Sequence, residues 1–236
     1  MENKIDILDS GYIKLVNVMG TDLDIANSAR VSFDKEVSEL SEKDEKLISF
    51  LIKEKHDSVL RHSVFSFEVY APLMVARQWY KHAVGSAHLE EQMGWNESSR
   101  RYITEKERFY IPSKNEWRFS AENKKQGSNG YMPEDSGAMF TSMLDTYVGI
   151  GEDMYKKALA SNIAPEQARL FLPAYGMYVR WRWTVSLNGL LHFLTLRLAN
   201  DAQYEIREYT RPIEHWVSEY FPTTAKYWKE YRIENE

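Results

Sequence analysis

Apolar residues alternate with polar ones in three stretches, and each alternation predicts a half-buried strand. Ile5 and Ile7 flank Asp6, and residues 12–19 continue beyond Ser10-Gly11, so a pair of short strands is expected around that turn. Phe65, Phe67 and Val69 alternate with Ser66, Glu68 and Tyr70. Val179, Trp181, Trp183 and Val185 alternate with Arg180, Arg182, Thr184 and Ser186. Elsewhere the period is helical. Residues 22–30 predict a short helix, and Ser41 is a fitting N-cap for one reaching about Lys55, with Leu47, Ile48, Leu51 and Ile52 as its apolar stripe. Pro72 stands where a proline can open a helix, here extending to about His82. Residues 136–160, 165–172, 187–199 and 203–220 complete the predicted helices, the last interrupted near Pro212. Periodicity fails over 84–95, and 113–135, rich in Lys, Asn, Gly and Ser, reads as a long surface loop. Strands early, midway and late, with helices between them, place the chain in the α+β class.

Composition narrows the picture. A chain of 236 residues suits a single domain spanning 1–236. Neither an eighteen-residue apolar run nor a basic-then-apolar leader is visible, so a cytoplasmic protein away from membranes is expected. Cysteine is absent. That excludes disulfides, thiolate metal sites and a cysteine nucleophile. A net charge of −5 argues against coating nucleic acid.

The densest polar segment is Arg77-Gln78-Trp79-Tyr80-Lys81-His82, followed by Asn96-Glu97-Ser98-Ser99-Arg100-Arg101-Tyr102. On a helix Gln78, Lys81 and His82 are neighbours and could jointly hold an anion or a polar heterocycle. If the second stretch is extended, Glu97, Ser99 and Arg101 point one way, and Arg101 suits a phosphate because a guanidinium offers two parallel donors. The competing reading is a helix end with solvated charges. Arg169 lies in a short helix whose other members, Ala168, Leu170, Phe171 and Leu172, look buried. His192 and Arg197 lie on an apolar helix, where a hydrogen-bonded core histidine is the plain reading of the first. Arg197 calls for an anionic partner, either a protein carboxylate or a ligand. His56-Asp57 with His62 could form the divalent-metal site of a nucleotide phosphohydrolase, although the spacing is not that of a helical metal pair. An aromatic-rich nucleic-acid-binding module is a third reading. Gly149-Ile150-Gly151 continues into Glu152-Asp153-Met154 within a helical pattern, so neither a dinucleotide fingerprint nor a Walker loop is present.

The two polar segments together resemble the signature of the flavin-dependent thymidylate synthases. The similarity includes Ile5-Asp6-Ile7-Leu8, Ala29-Arg30-Val31-Ser32-Phe33, the block 56–67, and 168–173. It continues through Arg182-Trp183-Thr184-Val185, Leu194-Thr195-Leu196-Arg197 and Ala202-Gln203. Two departures stand out. The family's Arg-His-Arg reads Lys81-His82-Ala83 here, and fifteen residues rather than seven precede Ser99. The resemblance implies a mixed or antiparallel sheet flanked by long helices, the thymidylate synthase-complementing fold, assembled as a homotetramer with shared active sites. It also implies conversion of dUMP to dTMP with FAD, NADPH and 5,10-methylenetetrahydrofolate, and no metal. Gln78, Lys81, Glu97, Ser98, Ser99, Arg100, Arg101, Arg169 and Arg197 would then hold dUMP. Arg197 would act catalytically by favouring the N3-deprotonated uracil, and Ser99 by positioning or polarising the ring. Ser58, Lys81, His82, Ala83, Glu97, Ser186, Asn188 and His192 would lie along the FAD, and His56 near the flavin or the folate. The missing cysteine agrees, because the other route to thymidylate needs a thiolate to attack the uracil.

Overall fold

The computed structural model describes residues 3–84, 94–98, 108–122 and 127–233. The predicted alternations are strands of one sheet. In chain order, β1 (Lys4–Ile7) and β2 (Gly11–Met19) form the hairpin, and α1 (Asp22–Arg30) and α2 (Glu42–Lys53) follow. Next come β3 (Val64–Pro72), α3 (Leu73–Val84) and β4 (Gly94–Glu97). A second hairpin, β5 (Arg118–Ser120) and β6 (Ser128–Tyr131), precedes the long α4 (Glu134–Ala160) and the short α5 (Pro165–Ala168). The chain then runs through β7 (Tyr178–Ser186), α6 (Leu187–Arg197), α7 (Tyr204–Tyr220) and α8 (Pro222–Arg232). The sheet order is β1-β2-β3-β7-β4, and each neighbouring pair is antiparallel.

One face of this sheet makes the core. Phe65, Phe67 and Val69 of β3 and Trp183 and Val185 of β7 are fully buried, while Ser66, Glu68 and Arg182 lie on the opposite face. Helices cover the apolar side with aromatic anchors. Trp79 of α3 meets Trp181 and Trp183 edge-on with centroids 5.4 Å away, and Phe193 of α6 at 4.7 Å. Trp216 of α7 stacks on Phe67 at 6.0 Å. Such pairs add roughly 0.5–1.5 kcal/mol each beyond the area they bury. Because Trp79 is locked in this cluster, the rotation of α3 about its axis is set, and with it the direction of Gln78 and Lys81.

Helix ends are tied down by buried carboxylates. Asp44 closes a capping box with Ser41, whose backbone N–H and Oγ donate to it at 2.9 and 2.6 Å, and it also pairs with Arg30. These bonds, Ser41 first, hold the Asp44 carboxyl below its usual pKa. Asp22, 2% exposed, caps α8 across the fold by accepting from the backbone N–H of Thr223 and Thr224 at 2.7 and 3.0 Å.

Several expectations need correction. The stretch 113–135 contains the β5–β6 hairpin and is fastened to α4. Trp117 Nε1 donates to Thr141 Oγ1 at 2.9 Å, and that hydroxyl donates to Pro112 O at 2.7 Å. A Cβ on Gly137 would stand 1.9 Å from Lys114 O, so the backbones meet where only glycine fits. The helix expected over 165–172 is four residues of α5 followed by a 3-10 turn. Pro212 leaves α7 continuous, and α8 is an additional helix. Gly151 gives the backbone and ring of 171–173 room against α4, since a Cβ there would lie 2.8 Å from Phe171 O.

Candidate active site

A cleft of about 900 Å³ opens between α3, the start of α7 and the β5–β6 hairpin. Gln78 and Lys81, three apart on one face of α3, reach it as their spacing predicts. Arg197 enters from the last turn of α6, and Gln203, Tyr204 and Glu205 from the first turn of α7.

Arg197 is half-buried, and burial lowers its pKa. Its Nε donates to His82 Nε2 at 3.0 Å. A guanidinium only donates, so the imidazole nitrogen facing it carries no proton. Burial first, then the charges of Arg197 and His192, pushes the His82 pKa down to about 4. Among the described residues no carboxylate lies within ion-pair distance of Arg197. The anionic partner that its position calls for is therefore left to whatever occupies the cleft.

The inner wall is organised around Glu205, 4% exposed. Arg118 of β5 forms an ion pair with it and stacks its guanidinium 4.4 Å above the Tyr204 ring. Gln203 Nε2 donates to Glu205 Oε2 at 2.8 Å, and Gln78 Nε2 donates to Gln203 Oε1. Tyr110 points its hydroxyl at the same carboxylate from 3.5 Å, and burial, with Glu205 next, raises its pKa well above the ordinary phenol value.

Gln78, Lys81 and Arg197 thus share one cleft, with His82 behind Arg197. The other predicted residues that the structure describes lie outside this cleft. Glu97 is exposed at the end of edge strand β4, and the Ser98 N–H donates to Arg180 O at 2.8 Å. Ser99, Arg100 and Arg101 lie outside the described residues, as does the side chain of Ala83. Arg169 is exposed, its Nε donating to Glu166 O at 3.3 Å. The apolar surroundings expected for it are only half present: Ala168 and Leu172 are buried, but Leu170 is 81% and Phe171 44% exposed. His192 is exposed rather than a core histidine, with its ring 6.0 Å from that of His82. Asn188 is half-buried, one helical turn before it. Ser186 is fully buried, and its hydroxyl caps α6 by accepting from the Gly189 N–H at 3.3 Å. Ser58 and His56 are exposed, His56 resting edge-on against Phe50 at 5.9 Å. Asp57 is held by Arg232, so the metal-site reading loses its carboxylate. Among the described residues no group of three histidines or carboxylates could hold a metal ion.

The sequence reading missed Tyr110, Arg118, Tyr204 and Glu205. Only Gln203 gave a signal, within the Ala202-Gln203 block of the resemblance.

The chain is similar to known proteins over nearly its whole length. The family described as thymidylate synthase complementing protein matches residues 14–223. A flavin-dependent thymidylate synthase of Thermus thermophilus is 37% identical over 231 residues, covering 98% of this chain and 80% of its own. One from Thermotoga neapolitana is 34% identical, covering 99% and 97%. The solved UMP/dUMP methylase PolB from Streptomyces cacaoi, bound with 5-Br dUMP, has a TM-score of 0.80 at 25% identity, covering 97% of this chain and 98% of that one.

Proposed function

The chain belongs to the flavin-dependent thymidylate synthases, and from that premise we infer that it methylates dUMP to dTMP in the cleft between α3 and α7. The observation that carries this reading is Arg197. Its guanidinium is half-buried, braced at Nε by a neutral imidazole, and without a carboxylate partner among the described residues. Its Nη groups can then meet the oxygen and N3 edge of a uracil. Opposite charge there favours the N3 anion and enriches the ring carbon that accepts the methyl group. Lys81 adds a cation and Gln78 a carboxamide on the facing helix. Arg101 and Arg169 would take the phosphate. Glu97, Ser98 and Arg100 would complete the nucleotide's hydrogen bonds, and Ser99 would position the ring.

The remaining set fits FAD by its chemistry. Asn188 and His192 lie one turn apart on α6, His82 is beside His192, and the turn carrying Ser58 packs against the same helix. Hydroxyl, carboxamide and imidazole groups on this strip can bind a flavin by hydrogen bonds alone. When bound, the reduced flavin supplies the electron pair that the methylation consumes, a role no thiol of this chain could replace. NADPH as reductant and 5,10-methylenetetrahydrofolate as carbon donor complete the proposal, with His56 near the flavin or the folate.

A homotetramer with composite sites is also proposed. Met139, Met143, Tyr147, Ile150 and Met154 line up on α4 at helical spacing, each about half exposed or more. A monomer gains nothing from such a stripe. A cytoplasmic location goes with the proposal, and no helix of the described residues is long and apolar enough to cross a membrane.

The absorption spectrum of the purified protein, before and after adding FAD, tests the reading. Flavin bands that NADPH bleaches, faster with dUMP present, are expected; a protein that retains no flavin would refute it.

A further inference from the structure

The inner wall of the cleft contains a hydrogen-bond chain whose direction is forced. Glu205 is buried and ion-paired with Arg118. A carboxylate held by a guanidinium has no proton to donate. Gln203 must therefore turn its NH₂ toward Glu205, as the 2.8 Å bond from Nε2 to Oε2 records. That leaves Gln203 Oε1 for Gln78, which must present its own NH₂ to it. Gln78 lines the cleft, and among the described residues no donor reaches its Oε1. A glutamine by itself can face either way. Here a charge two hydrogen bonds distant decides.

We propose that Glu205, acting through Gln203, is a positioning residue that makes Gln78 a hydrogen-bond acceptor toward the nucleotide, so that the cleft selects a ligand with a donor at that point. This rests on the dUMP reading of the same cleft. Lys81 and Arg197 can only donate, so neither can receive a ligand N–H or O–H. Arg197 donates to the N3 edge of the base, so the group of dUMP left to supply it is the 3′-hydroxyl of the sugar. 2′,3′-Dideoxyuridine monophosphate lacks that hydroxyl, and dCMP keeps it. A site built to receive a donor penalises a ligand without one, because its own acceptor is left unpaired.

Calorimetric titration of the FAD-loaded protein with dUMP and these two analogues tests the proposal. The wild type is expected to bind 2′,3′-dideoxyuridine monophosphate about tenfold or more weakly than dUMP. In Glu205→Gln the residue can offer either an N–H or a carbonyl to Gln203, so the direction is no longer imposed. The ratio of that analogue's Kd to the Kd for dUMP should then fall by roughly threefold or more. Gln203→Met interrupts the chain while sparing the Arg118–Glu205 pair, and should lower the same ratio; it also replaces Glu205→Gln should that variant not fold. A purely structural role would weaken all three ligands by one common factor. Unchanged ratios in the folded variants, or a wild type that binds 2′,3′-dideoxyuridine monophosphate as tightly as dUMP, would overturn the proposal. A wild type that fails to bind dUMP would instead remove the reading on which it stands.

Discussion

Arg197 and His82 show how two side chains define each other. The bond from Arg197 Nε exists only while His82 Nε2 is unprotonated, and burial keeps it so. Sign and window follow from the shift. A histidine lowered from about 6.5 to about 4 favours folding fully above pH 6.5, and this contribution is lost as pH falls toward 4. The His82 ring resonances should therefore stay constant from pH 8 to pH 6 in an NMR titration; a midpoint near 6.5 would contradict the described geometry. Arg197→Ala should leave the circular dichroism spectrum unchanged and weaken dUMP binding at least about thirtyfold, as expected when one member of a desolvated charge pair is removed. Normal binding would take away its role. At this scale the sequence was informative where spacing carries meaning: Gln78 and Lys81 share a face because helices repeat every 3.6 residues. Glu205 was not legible, because an acidic residue in the first turn of a helix ordinarily faces solvent and favours the helix dipole. Its burial depends on Arg118, 87 residues away.

Elements were legible in proportion to their periodicity. β3 and β7 follow their alternation, and α2 starts at its capping box, because burying one face leaves a period that sequence alone displays. The β5–β6 hairpin has almost no apolar alternation, since its residues face solvent or the cleft, and its position is set by what it leans on. Gly137→Ala should loosen that attachment. A Cβ 1.9 Å from Lys114 O forces the backbones apart, and a loss of about 1–3 kcal/mol in denaturant unfolding is expected. Asp22→Ala leaves the first N–H groups of α8 without acceptors in a buried setting. A cost of about 2 kcal/mol follows, measurable by the same unfolding midpoint. No change for either variant would mean that these contacts do not hold the hairpin or α8 in place.

For the whole molecule, the cleft of one chain gathers Gln78, Lys81 and Arg197 but leaves Arg169, Ser58 and His56 outside it. Assembly through the apolar stripe of α4 would bring residues of other subunits to such an incomplete site. Met143→Glu combined with Ile150→Glu should shift the protein to smaller species in sedimentation velocity, with activity falling in parallel; an unchanged assembly would exclude that face. Full activity in the smaller species would exclude shared sites. The central claim is that a chain without a thiol methylates dUMP by pairing cationic side chains with a reduced flavin. Its most direct test is mass-spectrometric assay of dTMP after the FAD-loaded protein is mixed anaerobically with dUMP, 5,10-methylenetetrahydrofolate and NADPH. Formation of dTMP in step with NADPH oxidation, abolished when the flavin is left oxidised, is the result expected. Flavin-loaded protein that binds dUMP yet makes no dTMP would contradict it.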